Sequence, residues 1–176
     1  MSAMLEAIIA TFEYQKRLGT GALRQLDERQ LHETVGYDGN TPAVIVRHLA
    51  GNFRSRFTNF LTTDGEKPDR DRDSEFIDDG LDKAGILQRW EQGWSVLLDT
   101  LGALREEDLE RAVTIRGEPH TVPRALLRAL DHGAYHTGQL VLIAKMLRGD
   151  AWDTLTVPRG GTAELHDRMG FDPTNG

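Results

Sequence analysis

Two histidines one helical turn apart, His132 and His136, have the types and spacing that most directly suggest chemistry. They lie inside a long helical pattern that continues through residues 140–147. Residues four apart on a helix share a face, so both imidazoles would point to one place, as ligands about 2.0–2.1 Å from a metal ion must. The metalloprotease motif H-E-x-x-H has the same histidine spacing. Gly133 stands where that motif has its glutamate, so we exclude this class.

A metal site needs a further ligand, because the alternative reading is a pair of half-buried histidines bonded to polar neighbours. The chain has no cysteine, so a transition metal would have to use histidine and carboxylate. His48, central in the predicted second helix, can face His132 and His136 and supply the third nitrogen. Three histidines with one open position are typical of catalytic rather than structural sites. We expect His32 and His120 to be exposed and not to ligate.

A polar stripe runs beside the apolar face of the second predicted helix. At about 100° per residue, His48, Asn52, Ser55 and Asn59 fall within a sector of about 60°, and Arg56 flanks them. A solvated helix face is the plain interpretation. The stripe borders the predicted core directly, however, and this favours the wall of a pocket.

The fourth predicted helix adds Arg128 and Gln139 on the side of its histidines, facing the same pocket. We therefore expect Asn52, Arg56 and Gln139 to contact a substrate. Arg159 would pair with a substrate carboxylate if the C-terminal tail covers the mouth of the pocket.

The charged connection 62–80 is long for a compact domain, where loops of this length are usually functional or mobile. Asp69, Asp71, Asp73 and Glu75 vaguely suggest calcium. We exclude an EF-hand, because the loop glycine and terminal glutamate are missing and interleaved arginines neutralise the acids. Phe76 and Ile77 are expected to pin this connection to the body of the protein.

Composition indicates an ordinary globular protein. The 176 residues fit one domain, 1–176, and are 39% hydrophobic and 28% charged, with a net charge of -7. No basic run is present, so we expect no nucleic-acid partner. The longest apolar run, 140–144, is too short to cross a bilayer, and the N-terminal segment lacks a signal-peptide pattern. We therefore expect no membrane partner and a cytoplasmic location.

Hydrophobic periodicity and helix-capping residues predict an all-α protein, a four-helix bundle with a small β-hairpin between helices three and four. Trp90 and Trp94 are expected in the core, and the tail after residue 150 is expected to lie across the bundle. Thr41 or Asn40 and Thr121 are the predicted N-caps of helices two and four. The predicted helices are 3–26, 42–61, 81–104 and 122–147, and the predicted strands are 112–115 and 120–122.

The sequence resembles the DinB/YfiT-like putative metalloenzymes, and looks like an uncharacterised branch of them. The resemblance is carried by Ile45-Val46-Arg47-His48-Leu49-Ala50 and by Asp131-His132-Gly133-Ala134-Tyr135-His136-Thr137-Gly138-Gln139-Leu140. The metal histidines of that family fall on His48, His132 and His136. The resemblance implies an up-down-down-up four-helix bundle, often dimeric, that binds zinc or nickel. Some members are thiol S-transferases that use bacillithiol or mycothiol, and others act on maleylpyruvate.

Two hypotheses about function follow. In the first, the protein is an enzyme whose metal activates a low-molecular-weight thiol, or water, for transfer to a small-molecule substrate. No acidic residue is evident on the polar stripes as a general base, which suits thiol transfer better than hydrolysis. In the second, the metal is structural or sensory in a non-catalytic protein of, for example, a stress response, and a fourth protein ligand such as His166 would favour it. A homodimer is expected from the resemblance and from surplus apolar residues on the first and third helices.

Overall fold

The computed structural model describes residues 3–172, and the chain is mostly helical. Within this range lie six α-helices and one two-stranded antiparallel hairpin. This confirms the prediction of a mostly helical protein with one small β-hairpin. The elements are α1 (Ala3–Gln25), α2 (Glu28–Leu31), α3 (Pro42–Phe57), α4 (Lys83–Ala103), β1 (Ala112–Ile115), β2 (Glu118–Thr121), α5 (Val122–Arg148) and α6 (Thr162–Met169).

The helices that carry the candidate site begin where capping chemistry predicts. The Thr41 hydroxyl accepts a hydrogen bond from the backbone N–H of Val44 at 3.1 Å, and Thr121 accepts one from Arg124 at 3.4 Å. A proline follows in the first turn of both α3 and α5. Its missing N–H costs nothing there, because the first N–H groups of a helix have no intrahelical acceptor.

The end of α3 differs from the prediction. This helix stops at Phe57, four residues before Leu61, and Asn59 takes a φ of 51° that turns the chain away. Asparagine tolerates this left-handed conformation better than most residues, because its short side chain bonds locally. Asn59 is therefore not part of the polar stripe on α3, and that part of the prediction is wrong.

Three smaller elements also differ from expectation. The short helix α2, which Asp27 caps with a reciprocal capping box, is not among the predicted helices. The strand β2 begins at Glu118 because the hairpin turn needs only Arg116 and Gly117, with φ of 56° and 77°. Two successive positive φ values define the tight turn that matches strand twist. The helix α6 was not predicted.

The core lies between the four long helices. The helix α3 packs against α4 and α5, and α1 packs against the other sides of α4 and α5. A Cβ on Gly93 of α4 would lie 2.7 Å from the Cα of Ala50, so only glycine permits this close approach of α4 to α3. Trp90 and Trp94 are buried as predicted, and the Trp94 ring lies 4.9 Å from that of Phe53.

The tail crosses α1, as the sequence predicts. Gln25 both donates to and accepts from the backbone of Asp153, at 2.9 and 2.8 Å. Leu155 packs against the bare backbone of Gly21. Among the helices in residues 3–172, none is long and apolar enough to span a membrane.

Candidate metal centre and adjoining cavity

Three histidines from two helices converge in the interior. His48 comes from α3, and His132 and His136 come from successive turns of α5. Each offers one ring nitrogen, and these nitrogens all lie within 4.8 Å of one another. The Nε2 atoms of His48 and His132 are 3.1 Å apart. Within the described part of the chain, this is the one group of three or more potential ligands that is close enough to share an ion.

Hydrogen bonds from outside the triplet fix two of the three imidazoles. Nδ1 of His48 lies 2.9 Å from the Glu75 carboxylate, and Nδ1 of His136 lies 2.8 Å from the Gln139 side-chain oxygen. Both partners are acceptors, so each Nδ1 carries a proton and Nε2 is the nitrogen through which each ring could bind an ion. Histidine ligands of metals are usually held in their tautomer by partners of this kind.

Two of these histidines are held in the neutral form. Burial is the largest of the effects that lower the pKa of His132 to about 3, and repulsion from the neighbouring His136, His48, Arg70 and Arg56 contributes the rest. Burial and His48 lower the pKa of His136 to about 4, against a raising effect from its hydrogen bond to Gln139. Neutral imidazole is the form that coordinates a metal.

The support for His48 comes from the charged connection between α3 and α4. Glu75 lies in a short 3-10 turn, Asp73–Phe76, and is buried with only 5% of its surface exposed. Arg70 binds its carboxylate through Nε and Nη2, both at 2.8 Å. Burial alone would raise the pKa of Glu75, but the hydrogen bonds from Arg70 and His48 outweigh it and lower that pKa. Glu75 is therefore a charged, fixed acceptor.

Two further residues fix the position of Glu75 relative to His48. The Phe76 ring packs on the His48 imidazole with centroids 4.5 Å apart. Gly51 of α3 faces the Glu75 carboxylate so closely that a Cβ there would overlap it. Phe76 thus pins the connection as predicted, whereas Ile77 is 63% exposed and does not.

Sequence reasoning missed the role of Glu75, which it treated only as part of an acidic cluster. A usable signal was present. Glu75 is the acid of that cluster directly beside Phe76, which was predicted to anchor the connection. Arg70 lies five residues earlier, close enough in sequence to pair with Glu75 inside one compact loop. The arginines of this segment do neutralise acids, as predicted, and Arg70 does so inside the protein.

A cavity of about 190 Å³ opens beside the triplet, between α3, α5 and the hairpin. Asn52 and Arg56 line it, as the polar stripe predicts, and so does Arg128. Its apolar wall consists of Phe57, Phe60, Val113, Ile115, Ala125 and Ala129. Its polar wall consists of His48, Asn52, Arg56, Arg70, Arg72, Thr114, Arg116, Arg128 and His132.

Three residues expected at the pocket lie elsewhere. Gln139 does not line the cavity, because its side chain is bonded to His136. Arg159 is exposed in the tail, which crosses α1 instead of covering the cavity. Ser55 is buried and donates its hydroxyl to the carbonyl of Gly65 at 2.8 Å, which ties the connection to α3.

The other histidines are separate from the triplet. His120 is buried on the inner side of β2, with 5% of its surface exposed, so the expectation that it is exposed is wrong. It pairs across the strands with Val113, and strand alternation points both inward. His32 is half-buried and bonded to Asp78 at 2.8 Å, which raises its pKa. His166 lies on α6, against Phe171.

The fold and site together describe a mostly helical protein with a three-histidine cluster beside an arginine-rich cavity. Residues 1–161 match the family described as "Protein of unknown function (DUF1572)", and the chain belongs to this family. No curated protein and no solved structure matches the chain. The family description states no activity, so the chemistry of the site carries the functional argument.

Proposed function

We propose that this protein is a metal-dependent enzyme in which His48, His132 and His136 hold a divalent ion, zinc or nickel, at the end of a small-molecule cavity. The observation that carries the proposal is the convergence of three buried or half-buried imidazoles, two of them fixed by Glu75 and Gln139. Core packing alone does not require three adjacent histidines. Aliphatic side chains would fill the same space without a desolvation cost.

The donor set fits such an ion. Nitrogen ligands in a tetrahedral zinc site lie roughly 3.4 Å apart, given bonds of about 2.0–2.1 Å. The separation of 3.1 Å between His48 and His132 is close to this value, and binding would draw the widest pair, at most 4.8 Å apart, together. Imidazole ligands suit zinc and nickel, whereas magnesium and calcium prefer oxygen.

A bound ion with an open position would lower the pKa of a coordinated thiol or water molecule and so supply a nucleophile at neutral pH. The residues of the chain would hold and orient the substrate. Among the described residues, no carboxylate lines the cavity. The nearby carboxylates of Glu66 and Glu75 accept hydrogen bonds from Arg56 and Arg70. Without a general base at hand, transfer of a low-molecular-weight thiol is favoured over hydrolysis.

The presence of a cavity favours an enzyme over a structural or sensory protein. A closed structural site takes four protein ligands, and the described residues offer three in the group. His132 both belongs to the triplet and lines the cavity, so a substrate in the cavity would reach the triplet directly.

We also propose that the four long helices form an up-down-down-up bundle of the DinB/YfiT-like type. Gly93 of α4 lies against Ala50 of α3, and the Thr100 hydroxyl, further along α4, donates to the carbonyl of Phe57, further along α3. The helices α3 and α4 therefore run parallel. Contacts between α1 and α4 run oppositely, since Gly19 lies against Trp90 whereas the earlier Phe12 lies against Trp94. These directions, and the three histidines, support the relationship.

Cobalt-substituted protein tests the proposed chemistry. Bacillithiol, mycothiol, glutathione and 2-mercaptoethanol would be titrated in turn, with ethanol as the control that lacks sulfur. A thiol entering the open position should produce a new sulfur-to-cobalt charge-transfer band and release a proton, so apparent binding should strengthen as pH rises. A spectrum that none of these thiols changes would remove thiol transfer and leave activation of water as the enzyme reaction.

A further inference from the structure

The cavity beside the triplet concentrates positive charge in a protein whose net charge is -7. Five arginines line it, and no aspartate or glutamate among the described residues does so. The five come from three parts of the chain: α3, the connection that follows it, and the region of the hairpin and α5. They are Arg56, Arg70, Arg72, Arg116 and Arg128.

Two carboxylates behind the wall neutralise only part of this charge. Glu66 accepts hydrogen bonds from Arg56 at 3.1 Å, Arg70 at 3.2 Å and Arg116 at 2.9 Å. Glu75 is bound by Arg70 and by His48. A third carboxylate, Asp64, also attracts Arg56. Five guanidinium groups against three carboxylates still leave the cavity with a net positive charge.

Arg56 is the most informative of these side chains. Only 12% of its surface is exposed, and its Nη1 is buried without a hydrogen-bond partner, while Nη2 is held by Glu66. Burial lowers the pKa of Arg56, Glu66 opposes that effect, and Arg70, Arg116 and Arg128 lower the pKa further by repulsion. A buried guanidinium donor that faces a cavity and repels its neighbours is satisfied by an anion placed in that cavity.

Arg128 stands opposite, one turn before His132 on α5. It is exposed and has no hydrogen-bond or ion-pair partner in the described residues, so its guanidinium is free to bind a ligand. Arg56 lies two turns after His48 on α3, about 12 Å along the helix axis. The two arginines therefore mark one end of the cavity, and the histidine triplet marks the other.

We propose that the cavity binds a small molecule carrying a carboxylate or phosphate group, which Arg56 and Arg128 clamp, with its apolar portion against Phe57, Phe60 and Ile115. This anion site names the substrate class of the proposed enzyme. It depends on the proposed function only for the reaction that the ligand would undergo at the histidine triplet. The anion site itself is formed by the chain alone.

Calorimetric titration of the metal-free protein with benzoate and with phenyl phosphate tests the site, and uncharged benzamide is the matched probe. Both anions should bind and benzamide should not, and the tighter anion identifies the group that the site prefers. Arg56→Gln and Arg128→Gln should each raise the Kd about 10- to 100-fold, as expected for loss of a charged hydrogen bond. Arg124→Gln, on the same helix as Arg128 but outside the cavity wall, should leave the Kd unchanged.

The outcomes separate the two proposals. Arginine-dependent binding of an anion by protein that takes up no metal would support the anion site and contradict the metal-dependent enzyme. Binding that needs a metal and ignores Arg128→Gln would mean that the anion is a metal ligand, and would overturn the anion site. Failure of both anions to bind metal-free and metal-loaded protein would also overturn it. Because Arg128 is exposed, Arg128→Gln should fold normally and keeps the test valid if Arg56→Gln does not fold.

Discussion

His48 donates its Nδ1 proton to the carboxylate of Glu75 across 2.9 Å, and both side chains are buried. Arg70 holds the same carboxylate through two further bonds, so its position does not depend on His48. The imidazole is thus oriented by a group that is itself fixed, as in carboxylate–histidine–metal arrangements.

Glu75→Gln should therefore weaken metal binding without removing a ligand. The amide cannot serve both Arg70 and His48 as a charged acceptor, so the His48 ring loses its fixed tautomer. We expect the affinity for zinc to fall about 10- to 100-fold, measured by competition with a chromophoric chelator. Asp73→Asn, an exposed acid of the same turn, is the matched control and should leave the affinity unchanged. Equal losses in both variants would point to overall charge instead.

Gly51→Ala should destabilise the protein although alanine is the better helix former. The added methyl group would overlap the Glu75 carboxylate and displace it from Arg70 and His48. Loss of charged hydrogen bonds costs about 1.5–3 kcal/mol, which exceeds the gain of about 1 kcal/mol in helix propensity. Gly102→Ala on α4, where a Cβ meets nothing within 4 Å, should be neutral or stabilising. Urea denaturation of the two variants gives the comparison.

Acid should destabilise the metal-free protein before its carboxylates titrate. His132 and His136 take up protons near pH 6.5 when unfolded, but only near pH 3 and pH 4 when folded. The unfolded state therefore binds more protons in this interval, and the stability of the folded state falls as pH drops below about 6.5. We expect a lower free energy of unfolding at pH 5 than at pH 7 in protein treated with a chelator.

Two variants test which histidines cause the fall in the free energy of unfolding between pH 7 and pH 5. A double variant, His132→Asn with His136→Asn, should lose much of the difference between pH 7 and pH 5. His32 has a raised pKa, so its contribution is present below pH 6.5 and is lost as pH rises through the folded-state pKa. His32→Gln should therefore steepen the loss of stability in acid. A double variant with the slope of the wild type would show that these histidines are not its cause.

A homodimer remains a prediction, and the structure changes its basis. Among the described residues, α4 carries none of the exposed large hydrophobic side chains, so the expected surplus on that helix is absent. Instead α5 exposes Leu127, Tyr135, Leu142 and Met146, each more than half exposed, within a sector of about 100°. Light scattering should give a dimer mass, and Leu142→Lys should give a monomer. A wild-type monomer mass over a wide concentration range would exclude the dimer.

The sequence was sufficient for features that depend on spacing along one helix. The interval between His132 and His136, the cap at Thr41 and the stripe through His48, Asn52 and Arg56 are local, and they appear where periodicity predicts them. His48 was also found because a site needs a third ligand and the second helix offered one at its centre.

Features that depend on where a loop folds back could not be read in this way. Glu75 reaches His48 from 27 residues along the chain, and its burial follows from Phe76 packing and from the absent side chain of Gly51. Gln139 was placed on the correct side of α5, but its bond to His136 assigns it to the support of a ligand. Tertiary packing also places Arg70, Arg72 and Arg116 at the cavity wall. These arginines lie outside the long helices, so helical periodicity could not predict their position.

The metal content of protein purified without a histidine tag tests the central claim most directly. Elemental analysis should find about one divalent ion per chain in the wild type and a sharply lower content in His48→Ala. His120→Ala is the matched control, because His120 is buried as deeply as His48 but lies outside the triplet, and it should retain the ion. Full metal content in His48→Ala, or a wild-type protein that takes up no zinc or nickel when supplied with either, would contradict the account.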